Sequence, residues 1–269
     1  MGQQSSHYCG VTLLARPPGP TVLVTSAHCT YLCKSEGNIV PNCCCPNVGP
    51  GTCTDRQDCG TSPEVTEMTG DDAEVVCGEW DTNTNTEEEY NVHLSIKKIT
   101  RHPDFNISRG ELNSQFVAND LAVIHVEDSQ LESLSSRHNI YPACLPTDQL
   151  TSSTAVHSGW STAPPLEFVA DNVPQYLQVY KYFHQQWHYS MNITECRDPE
   201  REFWTQKPLI YPTNSYYPPA TVCAIEMNGE FCPTSGESGS PLMVRDDQGR
   251  MTAEGIHSFI KARVLKSLF

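Results

Sequence analysis

The sequence is poor in basic residues and has no long apolar run. Its 269 residues include 17 Lys and Arg against 32 Asp and Glu, which gives a formal net charge of −15. Such a chain repels phosphate backbones and anionic lipid headgroups, so we expect neither nucleic acid nor a membrane surface as a partner. No apolar segment approaches the length of a membrane span. We therefore expect a soluble protein, with enough chain to bury a large core.

A secretion signal is also missing from the amino terminus. The stretch "MGQQSSHYCG" has neither the basic nor the apolar region of a signal peptide. The 13 cysteines nevertheless favour an oxidising compartment, and the N-x-S/T sequons at Asn106 and Asn192 are typical of glycosylated proteins. We expect an extracellular protein whose signal peptide is not part of this chain.

No long segment has apolar residues at helical spacing. Short β-rich runs such as "TVLVTSA", "LAVIHV" and "SPLMV" lie between turn residues instead, and they predict an all-β antiparallel sandwich or barrel. A minor helix is expected near residues 191–198. Composition predicts a Cys-rich insertion at about 33–76, stapled by disulfides and outside the core, and a linker between two β units near 143–156.

Three short motifs contain candidates for acyl-transfer chemistry. "TSAHC" places His28 after an apolar strand, and "NDLAVI" places Asp120 at the mouth of another, where a buried carboxylate needs a partner. "SGESGSP" places Ser238 between glycines in a turn. A hydroxyl, an imidazole that takes its proton and a carboxylate that holds the imidazole tautomer are what nucleophilic acyl transfer requires. Each residue alone has an ordinary structural explanation, but the three together indicate catalysis.

These motifs, with "YPACLP" and "SGW" in the same order, resemble the chymotrypsin/trypsin-like serine endopeptidases, peptidase family S1. The resemblance runs from "CGVTLL" to "AEGIHSF" and implies two antiparallel β-barrels, residues 1–146 and 147–269, that form one peptidase domain. It implies Ser238 as nucleophile, His28 as general base and acid, and Asp120 as the residue that orients His28. The backbone amides of Gly236 and Ser238 would form the oxyanion hole. Partners would be protein or peptide substrates, protease inhibitors and an activating protease.

The same resemblance assigns further residues. Ser258 would border the primary specificity pocket near Asp120, and two disulfides would join Cys9 to Cys29 and Cys196 to Cys223. Alignment on Cys232 places Glu230 near the floor of that pocket, where an acid attracts Lys or Arg side chains of a substrate. Counting back from Ser238 reaches Cys232 instead, so trypsin-like preference is one of two readings.

Some positions depart from the family pattern. Glu237 stands where the family has Asp, the acid that pairs with a newly freed amino terminus in the activated enzyme. Ser240 replaces a glycine. Neither an activation sequence before Cys9 nor a closing strand and helix after "GIHSF" is visible, so we expect a chain incomplete at both ends, with an unfinished second barrel. The alternative to an enzyme is a non-catalytic homologue that binds extracellular partners.

Metal sites are a minor expectation. Six cysteines of the insertion, Cys33, Cys43, Cys44, Cys45, Cys53 and Cys59, could form three disulfides. Their spacing does not match the paired C-x-x-C of a zinc finger. In "GEWDTNTNTEEE" a calcium ion could be bound by Glu79 with Glu87, Glu88 or Glu89, although a solvated acidic loop is the alternative. No other metal or cofactor is expected.

Overall fold

The computed structural model describes ten parts of the chain, residues 7–15, 21–35, 38–41, 64–79, 91–105, 119–145, 154–160, 186–194, 222–226 and 236–258. These parts are mostly β-structure with one α-helix, α1 (Asp128–His138), and one 3-10 turn (Ala27–Thr30). The strands are β1 (Thr12–Ala15), β2 (Val22–Thr25), β3 (Tyr31–Ser35), β4 (Asn38–Pro41), β5 (Glu64–Glu67), β6 (Glu74–Cys77), β7 (Val92–Ser95), β8 (Lys98–Arg101), β9 (Ala122–His125), β10 (Ala143–Cys144), β11 (Thr154–Trp160), β12 (Gln186–Thr194), β13 (Cys223–Glu226), β14 (Pro241–Arg245) and β15 (Met251–Ile256).

One sheet of ten strands joins the two halves of the sequence. Its order is β13-β12-β11-β14-β15-β10-β1-β2-β9-β8, and β4-β3-β5 and β6-β7 form two smaller sheets. Most neighbours are antiparallel, whereas the short β10 pairs in parallel with both β1 and β15. The predicted β class is therefore confirmed as mostly β. Closure into two barrels and the limits of the two domains stay predictions.

The helix that was predicted near residues 191–198 does not form in the part of it that the structure describes, and a helix forms elsewhere instead. Residues 191–194 belong to β12, where Asn192 lies opposite Thr154 of β11 and Ile225 of β13. Partners on both sides satisfy the backbone of this segment, and that outweighs its local preference. Residues 195–198 lie outside the described parts. The helix that does form, α1, buries only Leu134 fully, so its apolar stripe was too narrow to detect.

Three apolar clusters hold the strands together. The largest includes Leu23, Leu94, Ile124 and Leu134 from the first half of the chain. A second contains Ala155, Met191, Leu242 and Val244, and a third joins Leu14 and Val24 to Ala253 across the two halves.

The carboxyl end of the predicted insertion is part of this core. Met68 and Val75 are each only 4% exposed, and Val75 packs in the largest cluster. The prediction that residues 33–76 lie outside the core is therefore wrong at this end. No helix in the described parts is long and apolar enough to cross a membrane.

Candidate active site

Strand pairing brings His28 and Asp120 together from positions 92 residues apart. β2 and β9 pair antiparallel, with Thr25 opposite Ala122, so the end of β2 lies beside the start of β9. His28 follows β2 in the 3-10 turn, and Asp120 precedes β9. The His28 Nδ1 atom lies 2.6 Å from Asp120 Oδ2, and the His28 backbone amide donates to Oδ1 at 2.8 Å. A carboxylate only accepts, so Nδ1 carries the proton and Nε2 keeps its lone pair.

The Asp120 carboxylate is almost enclosed by the protein. Its side chain is 4% exposed, against 20% for His28. The hydroxyl of Ser258 donates to Asp120 Oδ2 at 2.5 Å. Burial acts to raise the pKa of Asp120, but the charge and hydrogen bonds of His28, with the bond from Ser258, outweigh it and hold that pKa below its usual range. Asp120 is thus an anion that orients His28.

The turn that carries Ser238 is bonded to one segment near the start of the sequence and to one that follows it. Its Gly236 and Gly239 have positive φ of 99° and 87°. The Gly239 amide donates to the His257 carbonyl at 2.8 Å, and the Ser238 carbonyl accepts from the Gly10 amide at 2.7 Å. These bonds hold the turn against the segments next to β1 and β15.

The Cys9–Cys29 disulfide is present in the structure and lies between the two reactive candidates. The Cys29 Sγ atom is 3.6 Å from His28 Nε2 and 3.7 Å from the Ser238 carbonyl oxygen. Cys29 therefore contacts both the His28 imidazole and the backbone of Ser238, although among the described residues no hydrogen bond joins the Ser238 hydroxyl to the imidazole. Such catalytic bonds are often long before substrate binds.

The two amides that were predicted to bind an oxyanion belong to the backbone of Gly236 and Ser238. The Gly236 carbonyl accepts from His7 Nε2 at 2.9 Å, which fixes the peptide plane that follows. Within the described parts, neither the Gly236 amide nor the Ser238 amide donates to a backbone carbonyl. The oxyanion hole at Gly236 and Ser238 stays a prediction.

Several predicted residues are not brought to this site. Asn192 lies in β12 and is partly buried, while Cys77 and Cys144 are partly buried free thiols. The Glu79 carboxylate accepts from Asn91 Nδ2 at 2.8 Å, and the calcium site stays a prediction. Outside the described parts lie Glu230, Cys196, Asn106, Glu87, Glu88 and Glu89 and the insertion residues Cys43, Cys44, Cys45, Cys53 and Cys59, and nothing is described of the side chains of Cys33 and Cys223.

The sequence analysis missed how Ser240 is accommodated. Ser240 is 1% exposed. A Cβ atom on Gly10 would meet the Ser240 hydroxyl oxygen at 2.1 Å, and one on Gly159 would meet it at 2.7 Å. These two glycines provide the space for the serine that replaces the family glycine. The only signal was that "CGV" and "SGW" both contain glycine.

The sequence analysis named Glu237 but missed His157 and His257 beside it, because a histidine within or next to a strand resembles an ordinary polar residue. His157 of β11 and Glu237 are 3% and 0% exposed, and the rings of His157 and His257 lie edge to face, with centroids 5.0 Å apart. One polar atom of each of these three side chains lies within 4.8 Å of the other two, next to the turn that contains Ser238. Burial lowers the pKa of His157 to about 4, against a smaller opposing effect of the Pro241 carbonyl.

Comparison with known proteins identifies the family of this chain. The sequence model of the Trypsin family matches residues 58–266, a segment that includes Asp120 and Ser238. Mannan-binding lectin serine protease 1 of Mus musculus is 23% identical over 271 residues, which covers 94% of this chain and 30% of that protein. The chain thus spans about a third of that relative's length. Since the family match extends over most of the sequence, the chain belongs to the trypsin family of serine peptidases, peptidase S1.

Proposed function

We propose that the protein is a serine-type endopeptidase that hydrolyses peptide bonds in proteins through an acyl-enzyme on Ser238. The observation that carries this proposal is the pair of hydrogen bonds between His28 and the buried Asp120, beside the turn of Ser238. An imidazole held by a buried carboxylate next to a serine is an arrangement that activates a hydroxyl for acyl transfer.

Ser238, His28, Asp120 and the two backbone amides have separate roles in the reaction. Ser238 Oγ attacks the carbonyl carbon of the substrate while His28 Nε2 takes the hydroxyl proton, and Asp120 stabilises the resulting imidazolium. The amides of Gly236 and Ser238 donate to the oxyanion of the tetrahedral intermediate. His28 then gives the proton to the leaving amine, and the acyl group stays on Ser238. Water, deprotonated by His28, hydrolyses the ester and regenerates the serine.

Finer properties belong to the same proposal. Glu230 at the pocket floor would select Lys or Arg at the cleaved bond, with Ser258 at the pocket border. The Cys9–Cys29 disulfide and the sequons at Asn106 and Asn192 support action outside the cell, on protein substrates and under the control of protease inhibitors and an activating protease. A cleavage profile on a peptide library tests the specificity, and a preference for large apolar residues alone would contradict it.

A fluorophosphonate probe, which labels an activated serine, tests the catalytic proposal on a folded preparation that has been activated by proteolysis. Labelling should disappear in Ser238→Ala and should persist in Ser136→Ala, which removes an exposed hydroxyl of α1. Asp120→Asn should slow labelling and peptide cleavage by about 10⁴-fold, because the amide favours the wrong imidazole tautomer. If the folded and activated wild type takes no label, the non-catalytic binding homologue becomes the better description.

A further inference from the structure

Arg101 of β8 is close in the strand ladder to both residues of the His28–Asp120 pair. It lies opposite Ala122 of β9, and Ala122 lies opposite Thr25 of β2. Asp120 is two positions before Ala122, and His28 is three positions after Thr25. Arg101 therefore belongs to the strand beside the one that begins next to Asp120. The reaction proposed above gives its side chain no role.

The guanidinium of Arg101 binds the 3-10 turn that contains His28. The Arg101 side chain is only 12% exposed. Its Nε donates to Thr30 Oγ1 at 2.8 Å, and its Nη2 donates to the Thr30 carbonyl at 2.6 Å. Both bonds go to the last residue of the turn, two positions after His28. Hydrogen bonds from a charged donor are stronger than neutral ones, and two bonds to one residue fix its orientation.

The Thr30 hydroxyl connects the guanidinium to the first residue of the turn. Thr30 is 2% exposed, and its hydroxyl donates to the Ala27 carbonyl at 2.7 Å. Because a hydroxyl has one proton, Arg101 can bond only to a lone pair of the same oxygen. The two bonds thus run in one direction, from Arg101 through Thr30 to Ala27, and they span the turn that contains His28.

Further contacts hold the guanidinium itself in place. Its Nη2 also donates to the Met68 carbonyl at 3.0 Å, and the Met68 amide donates to the Thr30 carbonyl at 2.9 Å. The guanidinium carbon lies 4.8 Å from the centre of the Tyr31 ring. The ion pair with Glu67, whose side chain is 68% exposed, adds little. Arg101 is therefore a fixed support for the turn.

The orientation of His28 depends on the backbone of this turn. The His28 amide donates to Asp120 Oδ1, while its Nδ1 donates to Oδ2. Both bonds require that the turn keep its place relative to the start of β9. A displacement of about 1 Å at a catalytic group can cost about 10²-fold in rate.

We propose that Arg101, acting through the Thr30 hydroxyl, is a positioning residue that holds the His28 imidazole on Asp120. Without this chain of bonds the turn has more conformational freedom, and the orientation in which His28 Nδ1 donates to Asp120 is populated less. The effect on cleavage rests on the proposed peptidase function, whereas the effect on the imidazole does not.

Thr30→Val keeps the shape of the side chain and removes only the link between Arg101 and Ala27. In a preparation activated by proteolysis, we expect kcat for a peptide substrate to fall about 10-fold with KM nearly unchanged. Thr30→Ser keeps the hydroxyl and should stay within about twofold of the wild type. Thr252→Val is the matched control, since the buried Thr252 hydroxyl also donates to a carbonyl, that of Val244 at 3.0 Å, and kcat should not change.

A second measurement does not depend on catalysis. Nitrogen NMR shifts of the imidazole at alkaline pH, where a histidine is neutral, show which ring nitrogen carries the proton. We expect the wild type and Thr252→Val to have His28 protonated on Nδ1 alone, and Thr30→Val to have a mixture of tautomers. Arg101→Lys keeps the charge without the planar fork and should also give a mixture.

The two measurements separate a failure of the proposal from a failure of the peptidase function. If the activated wild type does not cleave but Thr30→Val shows mixed tautomers, only the peptidase function fails. Near-ultraviolet circular dichroism identifies the folded variants, and Arg101→Lys is the variant to use if Thr30→Val does not fold. The proposal is overturned if the wild type itself shows a mixture, if the folded variant keeps the single tautomer, or if Thr252→Val shows the same mixture.

Discussion

At the scale of single residues, the nucleophile turn depends on what glycine leaves out. Gly239 has a φ of 87°, a conformation in which a side chain is strained. A Cβ atom there would lie 2.1 Å from the Gly10 carbonyl oxygen and 2.2 Å from Thr25 Oγ1. Both atoms belong to a hydrogen bond, because the Thr25 hydroxyl donates to that carbonyl at 2.8 Å. The turn therefore packs closely against two atoms whose positions are already fixed by a hydrogen bond between them.

Gly239→Ala should accordingly destabilise the protein severely. We expect a loss of at least about 3 kcal/mol in the free energy of unfolding, from backbone strain and a clash with backbone atoms. Gly249→Ala is the matched control, since Gly249 has a φ of 79° but no atom within 4 Å of the added Cβ. Strain alone should cost about 1–2 kcal/mol there. Urea unfolding of both variants measures the difference, and equal losses would contradict the close approach.

At the scale of elements, one arginine connects β8 with the sheet β4-β3-β5. Arg101 donates to the Thr30 carbonyl at 2.6 Å and to the Met68 carbonyl at 3.0 Å. Its guanidinium also lies 4.8 Å from the centre of the Tyr31 ring. Thr30 is the last residue of the 3-10 turn that contains His28. The Arg101 side chain therefore also stabilises the turn that positions this histidine.

Removal of this guanidinium should destabilise the junction of the two sheets. Arg101→Met keeps much of the apolar stem but leaves the Thr30 and Met68 carbonyls without their charged donor, at a cost of about 2–4 kcal/mol. Arg250→Met, which breaks an exposed ion pair with Asp246, is the control and should change stability little. Denaturant unfolding measures both variants. An equally small effect of Arg101→Met would show that the junction does not need the arginine.

At the scale of the whole molecule, the first and last described segments fold against each other. Gly10 donates to the Ser238 carbonyl, the Thr12 hydroxyl donates to the Gly239 carbonyl at 3.1 Å, and the Ser26 hydroxyl donates to the His257 carbonyl at 2.6 Å. These contacts span more than 200 positions of sequence. The proposed catalytic turn and the residues after β15 are therefore bonded to segments from the first part of the sequence.

Tyr8 makes the stability of the folded chain sensitive to alkaline pH. Its hydroxyl donates to Met68 Sδ at 3.2 Å, and burial, with the charge of Asp72, raises the pKa of Tyr8 from 10.0 to about 12. Between these values the folded chain keeps a proton that the unfolded chain releases. The stabilisation is thus complete below pH 10 and is lost as the pH rises towards 12.

Tyr8→Phe should remove this part of the pH dependence. The wild type should lose on the order of 2 kcal/mol more than the variant as the pH rises through this range. Urea unfolding at a series of pH values gives the two curves. Tyr141→Phe, at a tyrosine that is 67% exposed, is the control and should follow the wild type. Parallel curves for Tyr8→Phe and the wild type would contradict the prediction.

The fold and the site were predictable where local pattern carries the signal. Short β-rich runs between turn residues predicted β2, β9 and β14, and the motif order placed His28, Asp120 and Ser238 in one candidate site. The segment at residues 191–194 was predicted as helix because short polar stretches have no decisive period. Its backbone partners on β11 and β13 come from distant sequence, which a local reading does not contain.

By itself, the sequence determined the acidic charge, the β-rich character and the residue types of the candidate site, because these follow from composition and short motifs. Only the tertiary structure decided which side chains meet. The Arg101 guanidinium reaches the Thr30 carbonyl across 71 positions, and His157, Glu237 and His257 come together from three separate elements. Such contacts depend on strand pairing, which joins backbone groups irrespective of their distance along the chain, so no sequence spacing reveals them.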